Sequence, residues 1–231
     1  MKNYVIVICV ISTLVSYSRC NSQKSSALQD KVQNQHDSLN NIVKEKEHTY
    51  TQKDSKALIA ELEVVALKGK EPFNSLAFRE IIKRKGTAPE LFSSIKTTSQ
   101  KEYFKVIALK KIDEDLYKKL GCDSICAILT TALQRSTLFN GWGLPHLYWE
   151  SSAKSIIECG QAAIPFLKPL LNDTTSAPVW GSEEAKEYEK YHYRVRDYAY
   201  ALIMEITNQK SGMPEDVQER DRIIGDYLNK E

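Results

Sequence analysis

Three cysteines, two histidines and a set of large aromatic residues are the side chains of this sequence with the most chemistry to offer. Cys122 and Cys126 stand four apart at the start of an expected helix, a spacing that puts two thiols on one face and invites a metal. No histidine flanks them and no second closely spaced cysteine pair exists, so they read as small buried side chains. A bridge from Cys159 to Cys122 or Cys126 stays open. His146 follows Pro145 in a loop, and His192 lies among tyrosines. Either can act as an acid or base near neutral pH, and either can instead be a packing or hydrogen-bonding residue. Glu183, Glu184, Glu187 and Glu189 read as a solvated helix face rather than a carboxylate pair. The sequence has no His-Glu-x-x-His, no Gly-x-Ser-x-Gly and no phosphate-binding glycine loop. The expectation is a protein that binds rather than catalyses, with no cofactor and no metal.

Binding chemistry has better candidates. Trp142, His146, Tyr148 and Trp149 fall in or near one long connection, Ser136 to His146, and Trp180, Tyr188, Tyr191, His192 and Tyr193 in or near another, Thr174 to Arg194. Trp and Tyr supply large rigid contact area at low entropy cost. In a stack of helical hairpins, equivalent turns project on the same edge, so the two connections are expected to be neighbours. Together they would form a contact surface carried by Trp142, His146, Trp149, Trp180, Tyr188, Tyr191 and His192. The same rings could instead fold the long loops back onto the core, and spacing alone does not choose between the two.

The elements that must position these residues read as helices throughout. Asp54 can cap a helix with Leu58, Leu62 and Val65 on its inner face and Gly69 as its stop. Pro72 suits a first turn, and Phe73, Ala77 and Ile81 lead to Gly86, with Lys83, Arg84 and Lys85 complementing the dipole of the last turn. Thr87 with Glu90 and Ser99 with Glu102 have the spacing of capping boxes. Asp123 can cap a helix carrying Ile125, Leu129 and Leu133, and Leu147 to Cys159 reads as another helix, ended by Gly160. Ala162 to Leu171 is apolar on every turn and contains Pro165 and Pro169. Ser182 to Asn208 reads as one helix with Tyr188, Tyr191, Val195, Tyr198 and Leu202 on a stripe. After Gly212 and Pro214, a charged helix turns Val217, Ile224 and Leu228 inward, as a terminal cap would.

Self-similarity appears twice, at residues 72–112 and again from Ala153 onward: a helix, a glycine, an Ala-Pro-led helix and a further helix. The second copy runs Gly160, Ala163, Ile164, Pro165, Leu167, Leu170, Leu171, Asp173, Val195, Arg196, Ala199 and Ala201. It resembles a HEAT repeat of the phycocyanobilin-lyase-like kind common in bacteria. That resemblance implies an all-α fold, a short α-solenoid of HEAT-like helical hairpins, with Gly160, Pro165, Asp173 and Arg196 as structural repeat residues. The family keeps only a few residues between the aspartate and the Val-Arg pair, whereas some 20 intervene here.

At the start of the chain, Lys2 precedes an apolar run from Tyr4 to Val15 and then small and polar residues ending at Cys20. This is the layout of a cleavable export signal, and the run is shorter than the roughly 20 apolar residues a membrane span needs. Cys20 stands where the lipidated cysteine of a bacterial lipoprotein would, although Tyr17 and Arg19 depart from that pattern; ordinary cleavage after Ser18 is the competing site. The domains expected are an export signal at 1–19, a polar tether at 20–53 and a helical repeat domain at 54–231. If coil-like, the tether spans about 30 Å, and the heptad-like spacing of Leu28, Val32, Leu39 and Ile42 would allow part of it to be helical. Without residues 1–19, which hold Lys2 and Arg19 and no acid, 32 basic residues become 30 against 30 acidic ones. A neutral chain argues against a nucleic-acid binder. The resulting expectation is a non-catalytic protein-binding scaffold or adaptor, either periplasmic or held at the membrane through a lipid anchor at Cys20. An envelope enzyme or chromophore-lyase-like protein is the first alternative, and an inhibitor or immunity-type protein is the second.

Overall fold

The computed structural model describes residues 25–96, 99–209 and 211–230, so the expected export signal and Cys20 lie outside the described residues. Contacts divide the chain into two units at the Gln52/Lys53 boundary. Among the described residues the first holds α1 (Ser25–Thr51). Its 27 residues correspond to about 40 Å of helix at 1.5 Å per residue, in place of the coil the tether could have been. Among the described residues no helix is long and apolar enough to cross a membrane.

Among its described residues the second unit is helical apart from one two-stranded hairpin. It begins with α2 (Ser55–Ala66), α3 (Leu76–Ile81), α4 (Ala88–Ser94), α5 (Tyr103–Ile112), α6 (Glu114–Lys118) and α7 (Cys122–Arg135). Asp54 caps α2 as expected, its carboxylate accepting the Ala57 N–H at 2.7 Å, and Leu58, Leu62 and Ala66 are buried. At α5 the burial is continuous from Tyr103 to Leu109, so this helix is enclosed on all sides. It packs on α2, α4, α6 and α7. Each fully buried large apolar side chain of this kind contributes roughly 1.5–3 kcal/mol. Its buried cation, Lys105, is held by Glu102 at 2.5 Å, Glu63 at 2.7 Å and the Ser94 carbonyl at 3.0 Å.

After α7 come the strands β1 (Gly143–Leu144) and β2 (Tyr148–Trp149), then α8 (Ser151–Glu158). A continuous run follows: a 3₁₀ turn at Gly160–Ala163, α9 (Ile164–Leu167) and a second 3₁₀ stretch at Lys168–Asn172. The chain ends with α10 (Ser182–Tyr191), α11 (Val195–Ile206) and α12 (Val217–Leu228). Helices α8 and α9 pack on α7, and α11 packs on both, so the unit is assembled outward from α5 by successive helices.

Several sequence expectations are corrected. Neither capping box forms: the Thr87 hydroxyl donates backward to the Arg84 carbonyl, and Glu102 is drawn to Lys105, leaving the buried Ser99 hydroxyl without a hydrogen-bond partner. Helix α3 stops at Ile81, short of Lys83, Arg84 and Lys85, and Arg84 instead bridges Glu80 at 2.8 Å and the Lys53 carbonyl at 2.7 Å. Gly121, with φ 76°, precedes α7 and places Asp123 in the first turn rather than at the cap. The helix expected from Leu147 begins only at Ser151, because Tyr148 and Trp149 pair with Leu144 and Gly143 as β2. Ser182 to Asn208 is two helices rather than one. The break falls at His192, in the left-handed region at φ 48°, and the Asp197 carboxylate restarts the helix by accepting the Arg194 N–H at 2.9 Å.

Candidate functional site

The two long connections meet, as expected. Phe139 N–H donates to the Pro178 carbonyl at 2.9 Å. One amide side chain, Asn140, serves both backbone groups of Trp180, its oxygen accepting the Trp180 N–H at 2.8 Å and its nitrogen donating to the Trp180 carbonyl. The first connection is anchored below by Thr137, whose N–H and hydroxyl donate to the Gly69 carbonyl at 3.1 and 2.7 Å. Gly141 N–H donates to the carboxylate of Glu71. Its hairpin closes around Gly143, at φ 89°, where any Cβ would collide with the Tyr148 carbonyl. Tyr198 of α11 donates its hydroxyl to the Gly143 carbonyl at 2.7 Å, tying the hairpin to the core. The second connection folds back on itself: Ala177 N–H meets the Tyr193 carbonyl at 2.8 Å and Val195 N–H the Thr175 carbonyl at 2.9 Å.

Inside this junction lies a ladder of rings. His146 stacks on Tyr191 at 4.2 Å between centroids, and Tyr191 stacks on Tyr193 at 5.0 Å. The imidazole is bonded at both nitrogens, Nε2 to Glu187 at 2.9 Å and Nδ1 to the Tyr193 hydroxyl. Burial lowers the His146 pKa below 6.5 against the opposing pull of Glu187. Near neutral pH the ring is therefore neutral, accepting from Tyr193 at Nδ1 and donating to Glu187 at Nε2. Burial pushes the Tyr193 hydroxyl far above its usual range, so it stays a donor.

The far end of the ladder is closed by Arg220 of α12, which is fully buried. Its guanidinium donates to the carbonyls of Pro214 and Glu215 at 2.8 Å and to that of Tyr191, lies 5.7 Å from the Tyr193 ring centre, and pairs with Asp197 at 3.3 Å. Asp197, also fully buried, pairs with Arg194 at 3.0 Å.

The candidate residues therefore divide. Trp142 is core: it is fully buried, stacks on Tyr103 at 5.7 Å and donates its indole N–H to Ser136 at 3.2 Å. Tyr191 and His146 are committed to the ladder, and Trp149 lies half-buried 6.4 Å from the Tyr198 ring. Tyr188 bonds the Ser176 hydroxyl, and exposed His192 stands edge-on to it at 6.0 Å. Trp180, at 68 % exposure, is the ring most open to solvent, and Leu147 and Tyr148 are exposed beside the hairpin turn. Burial, with smaller pushes from the Glu184 and Glu150 carboxylates, raises the pKa of the Tyr148 hydroxyl.

Asp173 and Arg196 are joined through the main chain, Arg196 N–H donating to the Asp173 carbonyl at 2.9 Å. Their side chains go elsewhere, Asp173 to the Thr175 N–H at 2.9 Å and Arg196 to Asp221 at 3.1 Å. Gly160 ends α8 with φ 56°, and Pro165 occupies the first turn of α9.

Residues not singled out from the sequence hold much of this site: Glu71, Asn140, Asp197 and Arg220. Arg220 had a visible signal, because it shares the inward stripe of α12 with Val217 and Ile224 at helical spacing, where a charge demands a buried partner. No family model matches this chain, and neither does any curated protein or solved structure.

Proposed function

We propose that this protein is an exported, non-catalytic scaffold or adaptor of the bacterial envelope, built on HEAT-like helical hairpins, which captures a protein partner on the edge formed by its two long connections. The observation that carries the reading is Trp180. Its indole is mostly exposed, yet its backbone is fixed on both sides by Asn140. A large aromatic on a preorganised backbone is the type of residue that dominates binding energy at protein interfaces, since little ordering cost remains to be met on association. Leu147 and Tyr148 extend the apolar surface offered by the same pair of connections.

The repeat reading is supported by the packing of α9 and the 3₁₀ stretch after it on α11, which brings the Ile164–Asn172 segment against the helix of Val195 and Arg196 across the long insertion. The insertion then serves as the elaborated turn of that hairpin. A membrane or periplasmic location rests on the N-terminal sequence pattern, with lipidation at Cys20 and cleavage after Ser18 as the two processing outcomes.

The test is affinity capture with the tagged full-length protein from membranes, alongside Trp180→Ala. The variant is expected to lose at least tenfold in partner capture while keeping its helical circular dichroism and melting temperature. Unchanged capture would overturn the reading. Trp142→Ala is no substitute for it, because removing a fully buried Trp costs about 3–5 kcal/mol of stability and confounds binding with unfolding. Intact-mass measurement of the same sample reads the processed N-terminus directly.

A further inference from the structure

The three cysteines of the folded unit come together although they are far apart in sequence. Cys122 is the first residue of α7 and Cys126 lies one turn later on the same face; Cys159 is the residue that ends α8. Helices α7 and α8 pack against each other, the 3₁₀ turn directly after Cys159 also packs on α7, and the Cys159 thiol interacts with both Cys126 and Cys122. All three are free thiols. Among the described residues no group of three or more His, Cys, Asp or Glu is arranged to hold a metal ion.

We propose that Cys122 and Cys159 form a reversible disulfide that staples the start of α7 to the end of α8, with Cys126 remaining a thiol. Geometry selects the pair. Residues four apart on a helix have Cβ atoms about 5–6 Å apart, beyond the roughly 3.5–4.5 Å that a disulfide needs, which excludes Cys122 with Cys126. Of the two partners left for Cys159, Cys126 is fully buried while Cys122 is half-buried, and Cys159 itself is half-buried. An oxidant can reach Cys122 and Cys159 without opening the core.

The oxidant is a disulfide of the glutathione class, RSSR. The Cys122 thiolate attacks one of its sulfurs, forming a mixed disulfide and releasing RS⁻. The Cys159 thiolate then attacks Cys122 Sγ, forming the protein disulfide and releasing the second RS⁻. Two protein thiols lose two electrons and two protons, and RSSR becomes two RSH. Hydrogen bonding to Cys159, together with burial, holds the Cys122 thiol up at about 11, so the uncatalysed reaction accelerates as the pH rises toward that value.

The closed loop contains the whole first connection, from Ser136 through His146, and the hairpin of β1 and β2, so oxidation would stiffen the hairpin at its base. This goes beyond the binding reading and does not depend on it. The test uses the purified full-length protein, without any partner, treated with oxidised glutathione and mapped by mass spectrometry after cleavage at Asp123, which separates Cys122 from Cys126. The expected result is a Cys122–Cys159 crosslink, an alkylatable Cys126, and a melting temperature raised by roughly 5–10 °C that falls again on reduction. Cys122→Ser, at a half-buried position, should abolish the shift and Cys126→Ser should retain it. A wild-type crosslink through Cys126, or three alkylatable thiols after oxidation, overturns the proposal.

Discussion

Glu71 offers a perturbation whose magnitude follows from the structure. The residue precedes the Pro72 turn, is only 4 % exposed, and accepts the Gly141 N–H at the root of the first connection. Burial, with a smaller push from Glu150, outweighs that hydrogen bond and raises its carboxyl from 4.5 to about 7. Below 4.5 the carboxyl is protonated in folded and unfolded chains alike. Between 4.5 and about 7 the folded protein holds a proton that the unfolded chain has lost, so stability falls as pH rises through this window and levels off above it. At 1.36 kcal/mol per tenfold change in acidity, the loss is about 3 kcal/mol. Glu71→Gln keeps a carbonyl oxygen for Gly141 and removes the charge. Its own amide adds a fixed cost of about 1–2 kcal/mol if left unpaired, independent of pH. Urea unfolding of both proteins between pH 4 and 8 gives the difference free of other titrating groups. The variant should gain about 3 kcal/mol relative to wild type across that range. A difference that stays flat, or that moves against the variant as pH rises, would refute the burial argument.

Two further outcomes follow from the buried groups around the ring ladder. Arg220→Met should destabilise the protein by about 3 kcal/mol or more, since it leaves three carbonyls and a buried aspartate short of a donor; Arg222→Ala on the exposed face of the same helix should leave stability nearly unchanged, and equal losses in urea titrations would contradict the assignment. His146 titrates in the sense opposite to Glu71: its folded pKa lies below 6.5, so stability is fully present above 6.5 and declines as pH falls below it. His146→Asn should flatten that acid limb of the stability profile, and an unchanged limb would show that the ring is not held neutral.

The helical core was largely legible because it rests on periodicity. Leu58 and Leu62 on α2, Ile125, Leu129 and Leu133 on α7, and Ile224 on α12 are all buried where spacing placed them. Glycine stops were legible for the same local reason, Gly69 and Gly160 both adopting positive φ. Capping was less so, because a hydroxyl and a carboxylate at box spacing have other partners available in three dimensions. Glu102 is captured by Lys105, three residues on, whose burial the spacing alone does not reveal. The break at His192 was hidden because the tyrosine stripe runs through it unbroken. Only the buried Asp197, which also serves Arg194, accounts for a new helix start there. That the two loops are neighbours could be anticipated from the expected repeat, but which rings face outward could not. Trp142 and Trp180 look alike in sequence, and their fates are set by Tyr103 beneath one and Asn140 beside the other.

That division of roles explains why so many polar groups are spent inside the junction. Two connections of this length are costly to order, at roughly 1–2 kcal/mol of backbone entropy per residue, and apolar contacts at an exposed edge cannot offset it alone. Asn140, Thr137, Glu71, Tyr198 and Arg220 each fix main-chain groups of the connections or of the segments flanking them, and the His146 ladder fills the space between. The loops are thereby held by their own hydrogen bonds, and the large apolar side chains they leave exposed are Trp180, Leu147 and Tyr148. On the proposed reading, the raised pKa of Glu71 is the local cost of that rigidity. A carboxylate serving a backbone amide in a water-poor site stabilises the loop geometry while reducing overall stability above neutral pH. Relieving it with Gln should therefore leave partner capture unchanged at pH 8, because the hydrogen bond that sets the geometry remains while the buried charge does not.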